Sequence, residues 1–193
     1  MHKGRLEAFS DGSIAIFITI MVLELHVPAG ADWSALRPLI PVLSAYALSF
    51  IYIGIYWNNH HHMFQAVKSV NGAILWANLH LLFWLSLVPF VTNWVGEHPT
   101  VSAPVAAYGL VLIMTAIAYT ILYNALKRHE GPESQLARAI GADIKGWVSL
   151  SIYAAGVGLA FFFPIASLAA YAVVAAIWFI PDNRIERALI SRG

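Results

Sequence analysis

The chain has 193 residues, of which 60% are hydrophobic and only 11% charged, with a formal net charge of +1 and no cysteine. A soluble domain carries about 25% charged residues, so this composition points to an integral membrane protein. The near-neutral charge excludes a basic nucleic-acid surface, and the missing cysteines exclude disulfides, thiolate metal sites and cysteine nucleophiles.

A membrane span needs about 20 mostly apolar residues. The first is expected over about residues 6–27, stopped by Pro28-Ala29-Gly30. It is followed by Glu24 and His26 without a small-residue cleavage pattern, and so reads as a retained span, not a secretory signal. The second is expected over about residues 35–58, with Pro38 and Pro41 tolerable near its first turns. The third covers about residues 70–95 and the fourth about residues 105–126. The polar stretch "KRHEGPESQLARAIGADIK" reads as a loop with a short surface helix. Residues 147–180 are too long for one span, and Pro164 near their middle predicts a hairpin of two short helices. The expectation is an all-α polytopic protein with six transmembrane helices in a single domain, residues 1–193, without an internal repeat.

Six spans place both termini and two of the loops on one side. That side holds Lys3, Arg5, Lys68, Lys127, Arg128, Arg138, Lys145, Arg184, Arg187 and Arg192, while the other holds only Arg37. This asymmetry predicts cytoplasmic termini in a cell membrane. Trp33, Trp57, Trp94, Trp147 and Trp178 fall near span ends, as interfacial belts require.

Ionisable groups inside spans are costly and mark function or assembly. Asp11 lies roughly 10 Å along the first helix, and Asn78 and His80 lie roughly 12–15 Å along the third. Asn58, Asn59 and the run His60-His61-His62 close the second helix on the same side. One layer is expected to collect Arg5, Ser10, Asp11, Asn59, a histidine and Asn78, with Arg5 satisfying several acceptors. The alternative is a layer that only staples helices together. The histidine triplet is a poor metal or haem site, because neighbouring helix positions do not face one another. Neither metal nor other cofactor is expected.

Gly12, Ile16, Thr19/Ile20, Leu23 and Val27 recur at three- and four-residue steps and line one face of the first helix. The plain reading is an ordinary bundle helix. The polar anchor faces neighbours on another side, however, which leaves the aliphatic stripe for a symmetry axis or for lipid. Rings of such residues would gate a pore by dewetting. Gly156-Val157-Gly158 only faintly echoes the TVGYG filter and is discounted.

"RLEAFSDGSIAIFITIMVLEL" resembles the RxxxFSD first helix of the lysosomal potassium channels and their bacterial homologues, through Arg5, Phe9, Ser10 and Asp11. "SFIYIGIYWNNHHHMF" resembles the family's YWxNHHxxF ending, through Tyr56, Trp57, Asn59, His60, His61 and Phe64. "LWANLHLLFWLSLVPFVTNW" resembles its NLxxL…PF pattern, through Asn78, Leu79, Leu82, Pro89 and Phe90. The second half resembles the family only in hydropathy and length, and His62 stands where many members carry a basic or larger residue. The resemblance implies a potassium-favouring cation channel, not an enzyme, built as a homotetramer around the first helix. It implies a constriction at Ile16, a hydroxyl ring at Thr19, further aliphatic rings at Ile20 and Leu23, and permeant potassium ions as the ligand. The alternative function is a proton-coupled transporter using Asp11, His80 and Glu24.

Overall fold

The computed structural model describes residues 3–131, 134 and 144–179. Every regular element among them is helical. Helix α1 spans Gly4–Leu23 and ends as the chain approaches Pro28 and Gly30. The next span opens with a 3-10 helix, Trp33–Leu39, before continuing as α2, Ile40–Gln65. Asp32 caps the 3-10 segment, its carboxylate accepting the amides of Ser34 at 3.0 Å and Ala35 at 3.2 Å. The Ser34 hydroxyl and the Ala35 amide hold this exposed carboxyl below the usual aspartate range. Pro41 falls in the first turn of α2, where a missing N–H costs nothing. The helix runs through the histidine triplet, beyond the end expected at residue 58.

The third span is broken where the sequence reading expected one helix. Helix α3, Gly72–Ser86, and helix α4, Val88–Glu97, meet at Leu87. Pro89 is the cause: it has no N–H for the Leu85 carbonyl, and its ring crowds that oxygen. Asn71 starts α3 as an N-cap, accepting the Ile74 amide at 3.0 Å. Helix α5, Ser102–Glu130, is followed by Gly131 at φ 90, a conformation that favours glycine.

Helices α6, Ile144–Leu159, and α7, Pro164–Phe179, form the expected hairpin, with Pro164 at the first helical position. The expected surface helix after α5, and Arg138, Ile180, Arg184, Arg187 and Arg192, lie outside the described residues. Four of the spans, 4–23, 33–65, 72–97 and 102–130, are long and apolar enough to cross a membrane, and α6 and α7 are shorter apolar helices. The chain is a multi-pass membrane protein.

Helix α1 lies against α2, α3 and α4, while α5 joins α3 to the α6–α7 hairpin. Fully buried Ile53, Phe64, Ile74, Leu112 and Leu122 form much of the shared core. In the second half, close approach depends on small residues facing a large one. A Cβ on Gly156 would sit 2.5 Å from Tyr171 Cε1, and one on Gly109 would collide with the Tyr171 hydroxyl. Glycine is required at both places so that α5, α6 and α7 can close around that ring.

Candidate functional site

Helix α1 is apolar almost all round, as a membrane helix should be, so its sides are distinguished by packing rather than polarity. Leu6, Ser10, Ile14 and Met21 are buried against the neighbouring helices. Ile16, Ile20 and Leu23 are 58%, 41% and 75% exposed, and Gly12 and Thr19 are exposed beside them. Ile14 is only 3% exposed. Two positions on an α-helix are separated by about 200°, which explains the contrast between Ile14 and Ile16. Thr19 donates its hydroxyl proton to the Ala15 carbonyl at 2.8 Å. Its oxygen lone pairs are then the polar feature of an otherwise aliphatic stripe.

The buried face is tied down by a directional chain of hydrogen bonds. His60 Nε2 lies 2.8 Å from the Asn78 side-chain oxygen, and the Asn78 amide donates to Ser10 Oγ at 2.9 Å. Ser10 in turn donates to the Leu6 carbonyl at 2.9 Å. Because the Asn78 oxygen can only accept, His60 Nε2 carries the proton in this arrangement. All three side chains are buried, and they join α2, α3 and α1 at one level. His60 also packs on Phe64, with ring centroids 4.5 Å apart.

Other residues expected in this layer are placed differently. Asp11 is exposed and accepts from Trp57 Nε1 at 2.9 Å, and Trp57 stacks on His61. His61 pairs with Gln65 on its own helix. Asn59 donates back to the Ile55 carbonyl and does not reach the layer. Phe9 is 57% exposed. Arg5 is exposed, and among the described residues it has no hydrogen bond or ion pair. The expectation that Arg5 would collect the acceptors is corrected by helical geometry: five positions from Ser10 place it about 140° away.

The histidine triplet fans apart, with His60 buried, His61 exposed and His62 between. Among the described residues, no three His, Asp or Glu side chains converge to hold a metal ion.

Two contacts escaped the sequence reading. The Lys3 ammonium donates to the Phe64 carbonyl, which fastens the start of α1 to the end of α2. In the sequence, Lys3 registered only as one more cytoplasmic charge. A second cluster lies deeper: the Thr92 hydroxyl, which donates to the Val88 carbonyl of its own helix at 2.6 Å, lies 2.7 Å from Ser49 Oγ, and Ser49 lies 2.9 Å from the Tyr108 hydroxyl. These hydroxyls join α4, α2 and α5. Nothing local in the sequence sets them apart from other intramembrane hydroxyls.

Residues 5–89 match the family model described as "Endosomal/lysosomal potassium channel TMEM175". A protein named a potassium channel from Chryseobacterium sp. (strain P1-3) is 58% identical over 189 residues, covering 98% of each chain. Another of that name from Streptomyces collinus is 35% identical over 185 residues, covering 90% of each. The crystal structure of a lysosomal potassium-selective channel TMEM175 homolog from Chamaesiphon minutus superposes with a TM-score of 0.81 at 29% identity. That match covers 94% of this chain and 98% of the other. With near-complete coverage of such relatives and the same helical architecture, this chain belongs to the TMEM175 potassium channel family.

Proposed function

We propose that the chain is a passive, potassium-favouring cation channel that works as a homotetramer in the cell membrane, with both termini cytoplasmic. The observation that carries this reading is the division of α1. One face is fixed to α2, α3 and α4, while Ile16, Thr19, Ile20 and Leu23 are left uncovered by the chain's own fold. One such helix cannot enclose a pore, but four related by a symmetry axis can. The relatives named potassium channels support potassium as the permeant ion.

In this assembly four Ile16 side chains form the constriction and exclude water when they approach the axis. The Thr19 oxygens offer acceptors to a partly dehydrated ion beside that dry ring. Ile20 and Leu23 continue the aliphatic lining toward the other end. The His60–Asn78–Ser10 chain holds each pore helix in one rotation, so the same face meets the axis in every subunit. The family is one of channels, and their transport needs no enzymatic step. The transporter alternative lacks a shared site: Asp11 accepts from Trp57, His80 from Trp84, and Glu24 from Asn93.

Cation flux into reconstituted liposomes tests the pore face. Ile16→Asn places hydrogen-bonding amides in the constriction and should raise potassium leak about tenfold, equivalent to about 1.4 kcal/mol off the barrier. Discrimination against sodium should fall with it. Ile14→Asn instead buries an amide among apolar neighbours and should lower the yield of folded protein without opening a leak. A leak through Ile14→Asn but not Ile16→Asn would show that the pore face is misassigned, together with Thr19 and Leu23.

A further inference from the structure

Away from α1, a cavity of about 490 Å³ lies between α2, α5, α6 and α7. Its lining is polarised along the helix axes. Lys127, Asn124 and Asn59 line one end, while Ala116, Ile117 and Tyr52 line the other. From Ala116 to Lys127 is about 16 Å along α5. Lys127 is half-buried, and among the described residues it has no ion pair and no carboxylate lines the cavity. Lys145 adds positive charge near the same end, lying 5.9 Å from the Trp178 ring centroid, while the neighbouring Arg128 is exposed and does not line the cavity. Thr120, Ile121 and Trp147 are exposed on the rim, so the cavity is a groove open at the side of the bundle.

A cationic end, amide donors, an apolar shaft and an interfacial tryptophan match the polarity of one kind of bilayer molecule. We infer that this groove is a binding site for an anionic phospholipid, its phosphate at Lys127 and Asn124 and an acyl chain lying toward Ile117 and Tyr52. The half-buried ammonium gains a counter-charge that none of the described lining residues supplies, and basic residues between membrane helices recognise anionic head groups. The apolar shaft adds the burial of chain methylenes. This site is independent of the pore assignment, because none of its residues lies on α1.

The test uses the full chain in detergent, titrated with phosphatidylglycerol or phosphatidylcholine while its melting midpoint and retained lipid are measured. Wild type should retain about one phosphatidylglycerol per chain and be stabilised by it more than by phosphatidylcholine. Lys127→Ala should weaken phosphatidylglycerol binding about tenfold, Lys127→Arg should restore it, and Arg128→Ala should leave it unchanged. Thr120→Trp, which fills the rim while sparing every charge, should displace the lipid and serves if Lys127→Ala fails to fold. Equal binding of the two lipids, or an Arg128→Ala loss matching that of Lys127→Ala, would reduce the effect to general annular attraction and overturn the site. Retention of the lipid in Thr120→Trp would place it elsewhere. Dissociation of the oligomer in that variant would show that a second copy fills the groove.

Discussion

The two halves of the molecule are held together by different chemistry. Helices α1 to α4 are fastened by polar side chains that cross between helices, with Asn78 as the central node of one chain and Thr92 as a member of another. Helices α5 to α7 are fastened mainly by shape, with Gly109 and Gly156 admitting the Tyr171 ring, beside two polar ties from Trp178 Nε1 to Ser149 Oγ at 2.8 Å and from the Tyr171 hydroxyl to the Val105 carbonyl at 3.4 Å. Buried Tyr108, Tyr153 and Tyr171 pack around one another with ring centroids about 6 Å apart. The halves meet where Tyr108 reaches Ser49 and Tyr52 donates to the Tyr171 carbonyl. Polar ties specify rotation about a helix axis, because a displaced partner is left unsatisfied in hydrocarbon. Small-against-large packing specifies distance. In the half carrying the proposed pore helix, such ties set the rotation of α1 itself.

The strongest way to break this comparison is Asn78→Leu. It removes the node and leaves His60 and Ser10 without their shared partner, at an expected cost of about 3 kcal/mol. Thermal unfolding in detergent and the fraction of monodisperse protein would report it. A change no larger than that of an ordinary apolar substitution would mean that the first half is also held by shape.

Gly156→Ala should cost somewhat less, about 2 kcal/mol, because the added methyl drives the Tyr171 ring off its position. Restoration of the melting midpoint by adding Tyr171→Leu would establish packing as the cause. Failure to recover would remove the distinction between the halves. At the seam, Tyr108→Phe should cost only about 0.6 kcal/mol, as Ser49 keeps its bond with Thr92. A much larger fall in the same melt would make the seam the dominant tie.

The smallest effect belongs to Asp32, outside both cores. Its carboxyl is depressed from 3.8, so its contribution is fully present above that value and is lost as pH falls through the lower folded value. The melting difference between wild type and Asp32→Asn should be flat from neutral pH to about pH 4 and shrink only below it. A difference that shrinks nearer neutrality would show that another group controls this entrance.

The span pattern was legible because membrane helices must satisfy their backbone internally, which leaves long apolar runs in the sequence. Pro164 likewise announced the α6–α7 hairpin. Pro89 did not announce the break at Leu87, since proline is also tolerated in continuous membrane helices. Of the polar layer, Ser10, Asn78 and one histidine of the triplet could be placed at one depth by counting along their helices, and the structure identifies that histidine as His60. Depth does not fix azimuth, and Arg5 was assigned to a layer that its rotation keeps it out of. The hydroxyl cluster was invisible for a further reason. Serine and threonine can satisfy themselves on their own helix, as Thr115 does with the Val111 carbonyl, so an intramembrane hydroxyl does not by itself demand a partner. The groove near Lys127 needs four helices to exist and has no signature in any one of them.

The hydrogen-bond chain from His60 to the Leu6 carbonyl has a sense of travel, and this makes its three positions a coupled inheritance. Aspartate at 78 would offer acceptors on both sides, so serine would have to abandon Leu6 to serve it. Glutamine would keep both functions but overshoot by a methylene. Alanine at 10 would leave the Asn78 amide pointing into hydrocarbon. Single substitutions therefore cross a trough before any compensating change can arrive. Among homologous chains these positions should vary in concert, while the neighbouring exposed Asp11 and Arg5 vary by rules of their own.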